Sequence, residues 1–223
     1  MSLEVPFFGN TPDNTHCFQA ALKMVLKCFR PSEDYSWAAL DEITAKVDGL
    51  GTFPFAGLAW LQSRGFDVRN VELMDNGRFA NEGRSYLVEF FGKDLVAATA
   101  LPPDLSREQA AAATFVSNVS SETRIPEVDD LRRFLADGYL VICNVNSRTL
   151  NERDGYSGHF VVVTSCDAAE VVAHDPGPPP NPNRRVPVAL FERAWAYPTE
   201  RAKNIVAIKP RDVAAPRGLS GRS

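Results

Sequence analysis

The chain has 223 residues, 44% hydrophobic and 23% charged, the make-up of an ordinary globular chain long enough to bury a sizeable core. A formal charge of −4 argues against a surface built for nucleic-acid phosphates. No apolar run reaches the ~18–20 residues that span a bilayer. Met1-Ser-Leu-Glu-Val-Pro6 lacks the regions of a secretory signal, and four cysteines are too few for a disulfide scaffold, so the expected compartment is the reducing cytoplasm.

No internal repeat, heptad or charge block is present, so residues 1–210 are expected to form a single domain, with 211–223 a flexible tail. A first helix is predicted over Cys17–Phe29, where Ala20, Ala21, Met24, Val25 and Cys28 recur at helical spacing before Pro31. Ser36 is placed to cap a second, carrying Leu40, Ile43 and Val47 on one face with Gly49 after it. A third runs from Phe55 to Arg64 and ends at Gly65, making the N-terminal third helical. Between Asn76 and Thr123 the pattern is weak. Gly92–Leu101 and Arg107–Asn118 carry helical character, and whether the segment is a lid, a substrate wall or packing stays open.

The C-terminal half changes character. After a short helix at Glu127–Ala136, three apolar or β-branched runs read as strands: Tyr139–Val145, Gly158–Cys166 and Glu170–Asp175. A helix follows over Pro187–Ala196, then a last strand over Asn204–Ile208. Helices first and strands after is the α+β pattern.

Three residues in this layout point to chemistry. Cys17 opens the first helix, where unpaired N–H groups and the positive dipole end favour thiolate, the nucleophile of acyl transfer; the alternative is a small buried hydrophobe. His159 opens the most apolar strand and shares a face with Val161 and Val163. Asp175 ends the next strand. A hairpin turn centred on Asp167 sets His159 directly opposite Asp175, close enough for the carboxylate to orient the imidazole, and a one-residue slip puts Asp175 on the wrong face.

The motifs carrying these residues resemble papain-like cysteine peptidases of the C39-like family. Val5-Pro-Phe-Phe8 and Cys17-Phe-Gln-Ala-Ala-Leu-Lys-Met-Val-Leu26 match the family opening, and Gly158-His-Phe-Val-Val-Val163 its histidine strand. His174-Asp-Pro-Gly177 and Phe191-Glu-Arg-Ala-Trp195 follow in family order, and the Cys-to-His separation is typical of papain-like chains. The resemblance implies a papain-like α+β fold, with an N-terminal helical part carrying the Cys helix packed against a C-terminal antiparallel sheet. It implies a thiol acyl-enzyme mechanism with Cys17 as nucleophile, His159 as base and then acid, and Asp175 as orienter.

Two departures stand out. Phe18 replaces the glycine that usually follows the nucleophile, and Thr11 stands where the family carries an oxyanion-binding Gln. Asn10, Asn14 and Thr11 itself are the candidate replacements, with Gln19 a weaker one; losing one such donor typically costs ~10²–10³ in rate.

Other signals are discounted. His16 is expected in an exposed turn, His174 faces away from Asp175, and Cys28, Cys143 and Cys166 sit at apolar positions. No Cys-x-x-Cys or His-x-x-x-His spacing points to a metal, and no cofactor is implied. The Pro-rich stretch Pro176–Pro182 reads equally as a cleft rim or a connector. The sequence therefore points to a cysteine peptidase or amidase acting on a peptide or small acyl substrate, with neither nucleic acid nor membrane as partner. The alternatives are a catalytically weak C39-like domain that binds a peptide or protein, and a cysteine-dependent acyltransferase. Oligomeric state is not readable.

Overall fold

The computed structural model describes residues 3–99 and 101–211. Of the tail expected at 211–223, all but Arg211 lies outside the described residues.

Helix α1 (Cys17–Phe29) spans the predicted range and is buried along most of its length, from Phe18 to Leu26 except Lys23. Helix α2 (Trp37–Ile43) begins under the Ser36 hydroxyl, which accepts the Ala39 N–H as predicted. It ends four residues short of Val47, because Ala45 takes a positive φ of 55° that no helix continues. Helix α3 (Phe55–Ser63) stops before Gly65 at φ 87°.

The expectation of an all-helical N-terminal third fails at strand β1 (Phe66–Glu72), where Phe66, Val68 and Asn70 alternate inward. The weakly patterned stretch then folds into four helices and one strand: α4 (Asn76–Glu82), α5 (Arg84–Phe91), α6 (Lys93–Ala98), α7 (Ser106–Asn118) and β2 (Ser120–Thr123). After α8 (Val128–Ala136) come β3 (Leu140–Asn146), α9 (Ser147–Leu150), β4 (Gly158–Cys166), β5 (Glu170–Asp175), β6 (Asn181–Pro187), α10 (Val188–Trp195) and β7 (Asn204–Pro210). Strands β4 and β5 have the predicted bounds. Strand β6 was not predicted, because its Asn-Pro-Asn-Arg-Arg opening has no apolar alternation.

The seven strands form one sheet in the order β2-β1-β7-β3-β4-β5-β6, antiparallel throughout except for β1 with β2. One face carries Phe160, Val162, Ile142 and Val206 and packs beneath α1, α3 and α7. The other carries Val161, Val163, Val141 and Ile205 and packs against α8 and α10. The result is a mixed α+β architecture in which the Cys helix lies on the sheet.

Candidate active site

The N-terminal segment and the His-Asp-Pro-Gly segment interlock, and this positions α1. The His174 Nε2–H donates to the Val5 carbonyl at 2.9 Å while its Nδ1 accepts the Asn183 N–H at 3.1 Å, so the ring is a neutral clasp facing away from Asp175. The Asn10 N–H bonds the Pro176 carbonyl at 2.8 Å, and its side-chain amide donates to the Gly177 carbonyl at 3.1 Å. Gly177 sits at φ 74°, where a Cβ would fall 2.2 Å from the Pro179 carbonyl carbon, so only glycine fits.

Strand β4 brings the histidine to this junction. His159 and Asp175 are both buried, and His159 Nε2 lies 2.7 Å from Asp175 Oδ1. The contact forms through a different register from the expected one. The hairpin turn falls on Ala168–Ala169, since Cys166 pairs with Val171, and not on Asp167, whose side chain instead caps the turn by accepting the Ala169 and Glu170 N–H groups. An irregularity between Val163 and Ser165 then shifts the ladder, so Val162 faces His174. The net displacement is two positions. It preserves the face and leaves His159 diagonal to Asp175.

Pairing of β4 with β5 begins only at Val162, which leaves the edge at His159 and Phe160 open to α1. The Phe160 and Phe18 N–H groups and the His159 ring surround the Cys17 sulfur and favour its charged form. Because Nε2 is taken by Asp175, Nδ1 is the nitrogen that meets the thiol. Burial opposes charge on Cys17, but His159 and the two backbone donors outweigh it and bring the thiol below its ordinary value. Burial likewise opposes charge on His159, yet Asp175 and Cys17 push it up to about 9. Burial raises the other three cysteines, Cys28, Cys143 and Cys166. Cys17 is the one thiol of the four whose surroundings shift it toward the thiolate.

Arg184 was not anticipated. Its Nη1 donates to Asp175 Oδ2 at 2.8 Å and its Nη2 to the Leu150 carbonyl, while the Gly177 N–H donates to Asp175 Oδ1 at 2.9 Å. Despite burial, His159, Gly177 and Arg184 together hold the Asp175 carboxyl below its usual range. Recognising β6 from its arginine pair was the only route to it.

The cleft above Cys17 and His159 is small, about 70 Å³, and is walled by Asn14, Ser147, Asn151, Ser157 and the Gly177–Pro179 turn. The Pro-rich stretch thus forms part of its rim. Of the oxyanion candidates, Asn14 lines the cleft. Asn10 is committed to the clasp, and the Thr11 hydroxyl to Asp13 at 2.5 Å. Gln19 is buried against Thr44 and Thr52, away from the cleft. His16 is not exposed as expected: its ring lies edge-on to Trp37, between Asp13 and Asp41. Among the described residues no cluster of His, Cys, Asp and Glu is arranged to hold a metal, and no helix is long and apolar enough to cross a membrane.

No protein-family model matches the sequence, and no curated protein matches it. A solved structure does. The peptidase domain of Streptococcus ComA, a bi-functional ABC transporter of a quorum-sensing pathway, superposes with a TM-score of 0.51 over 93% of this chain and 100% of that one, at 15% identity. The fold is that of a papain-like C39 peptidase domain. At that identity the likeness is one of architecture.

Proposed function

We propose that the chain is a papain-like cysteine hydrolase, a peptidase or amidase, acting on a peptide, amide or ester bond. Cys17 Sγ attacks the carbonyl carbon. The His159 imidazolium then gives its Nδ1 proton to the departing amine or alcohol and, in the second half-reaction, takes one from the water that releases the acyl group. Asp175 fixes the ring with Nε2–H directed at Oδ1 and stabilises the imidazolium. The observation that carries this reading is the 2.7 Å His159–Asp175 contact in a cleft that Cys17 also lines. The oxyanion would be met by the Cys17 N–H and the Asn14 side-chain amide.

The test is site-resolved alkylation of the four cysteines by iodoacetamide across the range from acid to alkaline pH. Fast modification of Cys17 alone, well below the ~8.5 of a free thiol, supports the reading. Alkylation of Cys17 no faster than an ordinary thiol overturns it. One observation favours a second reading, a weakly active domain that binds a peptide: Thr11, in the place of the usual Gln, is turned into its own loop. A depressed Cys17 together with no turnover of any peptide, amide or ester would select it.

A further inference from the structure

A second cavity, about 210 Å³, opens on the α1 face of the sheet and shares no lining residue with the cleft. The two are nevertheless neighbours through β4, because His159 faces the cleft and Phe160 the cavity. Phe53, Phe55, Phe91, Tyr156, Phe160 and Tyr197 supply aromatic walls. A dry apolar cavity of ~150 Å³ holds one benzene ring, so this one has room for a ring with a short arm.

One charged group faces the space. Glu72 ends β1 and lines the cavity, and no Lys, Arg or His is among the described lining residues. Its Oε1 accepts the side-chain amides of Asn70 at 2.9 Å and Asn76 at 2.7 Å, and its Oε2 has no partner among the described residues. Beside it the Asn76 Oδ1 is buried and also without a partner. Asn204 is tied to the Asn144 backbone and the Thr99 hydroxyl to Leu95, while the Asn144 side-chain amide and the Tyr156 and Tyr197 hydroxyls also line the space. Glu72 Oε2 is thus a charged acceptor facing the space with no donor given to it by the described residues. A buried acceptor in that state gains most from a charged donor. Aromatic faces attract cations as well, and a lone carboxylate repels anions.

We propose that this cavity binds an aromatic ring bearing an ammonium group on a short arm, with the ring among the phenylalanines and tyrosines and the ammonium on Glu72 Oε2. The proposal concerns binding and stands apart from the role of Cys17. Two sources share this chemistry: a free arylalkylamine, and the N-terminal aromatic residue of a peptide.

The experiment is calorimetric titration of the intact chain at neutral pH with phenethylamine, 2-phenylethanol, 3-phenylpropionate and phenylalaninamide. Phenethylamine should bind about ten- to a hundred-fold more tightly than the alcohol, the range set by a hydrogen bond to a charged group. The acid should not bind. Phenylalaninamide as tight as phenethylamine selects the peptide source, and its exclusion the free amine. Glu72→Gln should erase the preference for amine over alcohol, and Leu95→Trp, which fills the cavity, should abolish both while cooperative melting persists. Equal affinity for amine and alcohol in the parent, a preference that survives Glu72→Gln, or no binding of any probe would overturn the proposal.

Discussion

Asp175 and Glu72 are two carboxylates sunk into the same sheet, four strands apart in its order, and they titrate in opposite directions. Asp175 has both oxygens bonded, to His159 and Gly177 on one side and Arg184 on the other, and it sits below its ordinary value. Glu72 has two neutral amides on one oxygen and nothing on the other; burial dominates and raises it. Desolvation acts on both. The presence of cationic partners decides the sign. A site that works through a permanent internal ion pair and a site left open for a ligand's charge are distinguished by this accounting alone.

The comparison can be broken at either end. Asp175→Ala removes the buried carboxylate that pairs with both His159 and the half-buried Arg184 and should cost about 3 kcal/mol in urea unfolding, the lower end of the penalty for breaking a buried pair. His159→Ala should slow iodoacetamide alkylation of Cys17 on the order of 100-fold near pH 6, where an unassisted thiol is scarcely ionised, and leave Cys28, Cys143 and Cys166 unchanged. Arg184→Met should cost about 2–3 kcal/mol, for the charge-assisted hydrogen bonds to Asp175 and the Leu150 carbonyl on a half-buried side chain. It should also move the upper inflection of the Cys17 alkylation profile above that of the parent, since Asp175 freed from arginine holds the imidazolium more strongly. A purely structural arginine would leave that inflection in place.

The smallest effect lies in pH dependence. A depressed carboxyl contributes stability that is full above its unfolded value and is lost as the pH falls through its folded one, so Asp175 protects against mild acid only. A raised carboxyl does the reverse. Glu72 costs nothing below its unfolded value and an increasing amount as the pH climbs to its folded one. Glu72→Gln should therefore match the parent at acid pH and exceed it in stability at alkaline pH, read from melting curves along a pH series.

The cysteine, histidine and aspartate of the cleft were legible because they lie on regular, strongly patterned elements. Cys17 heads an apolar helix, and His159 and Asp175 end strands whose bounds follow from β-branched runs. The direct facing of His159 and Asp175 was misjudged, since neither a turn on two alanines nor a bulge leaves a mark in apolar periodicity. Arg184 was missed because β6 is written in prolines, asparagines and arginines and is recruited by its neighbour β5. The cavity was illegible for a different reason. Its walls gather one or two residues each from α3, β1, α5, α6, β3, β4, β7 and the Tyr197 turn, and Glu72 ends a strand that follows α3 after only Arg64 and Gly65.

Thr164 has no part in the chemistry, yet the function of its strand hangs on it. It is the surplus residue of β4, standing between Val163, opposite Ala173, and Ser165, opposite Val172, with its hydroxyl on the Val172 carbonyl at 3.2 Å. Side chains alternate along a strand, so the residue sets a phase. Deleting it would leave both pairings and both faces in place and make the ladder regular, whereas pairing Thr164 in step with Ala173 would turn every position from Gly158 to Val163 over and present a phenyl ring to Asp175. An exchange of any one core side chain changes a contact; the looped-out position of this one keeps in step the two compartments that β4 divides.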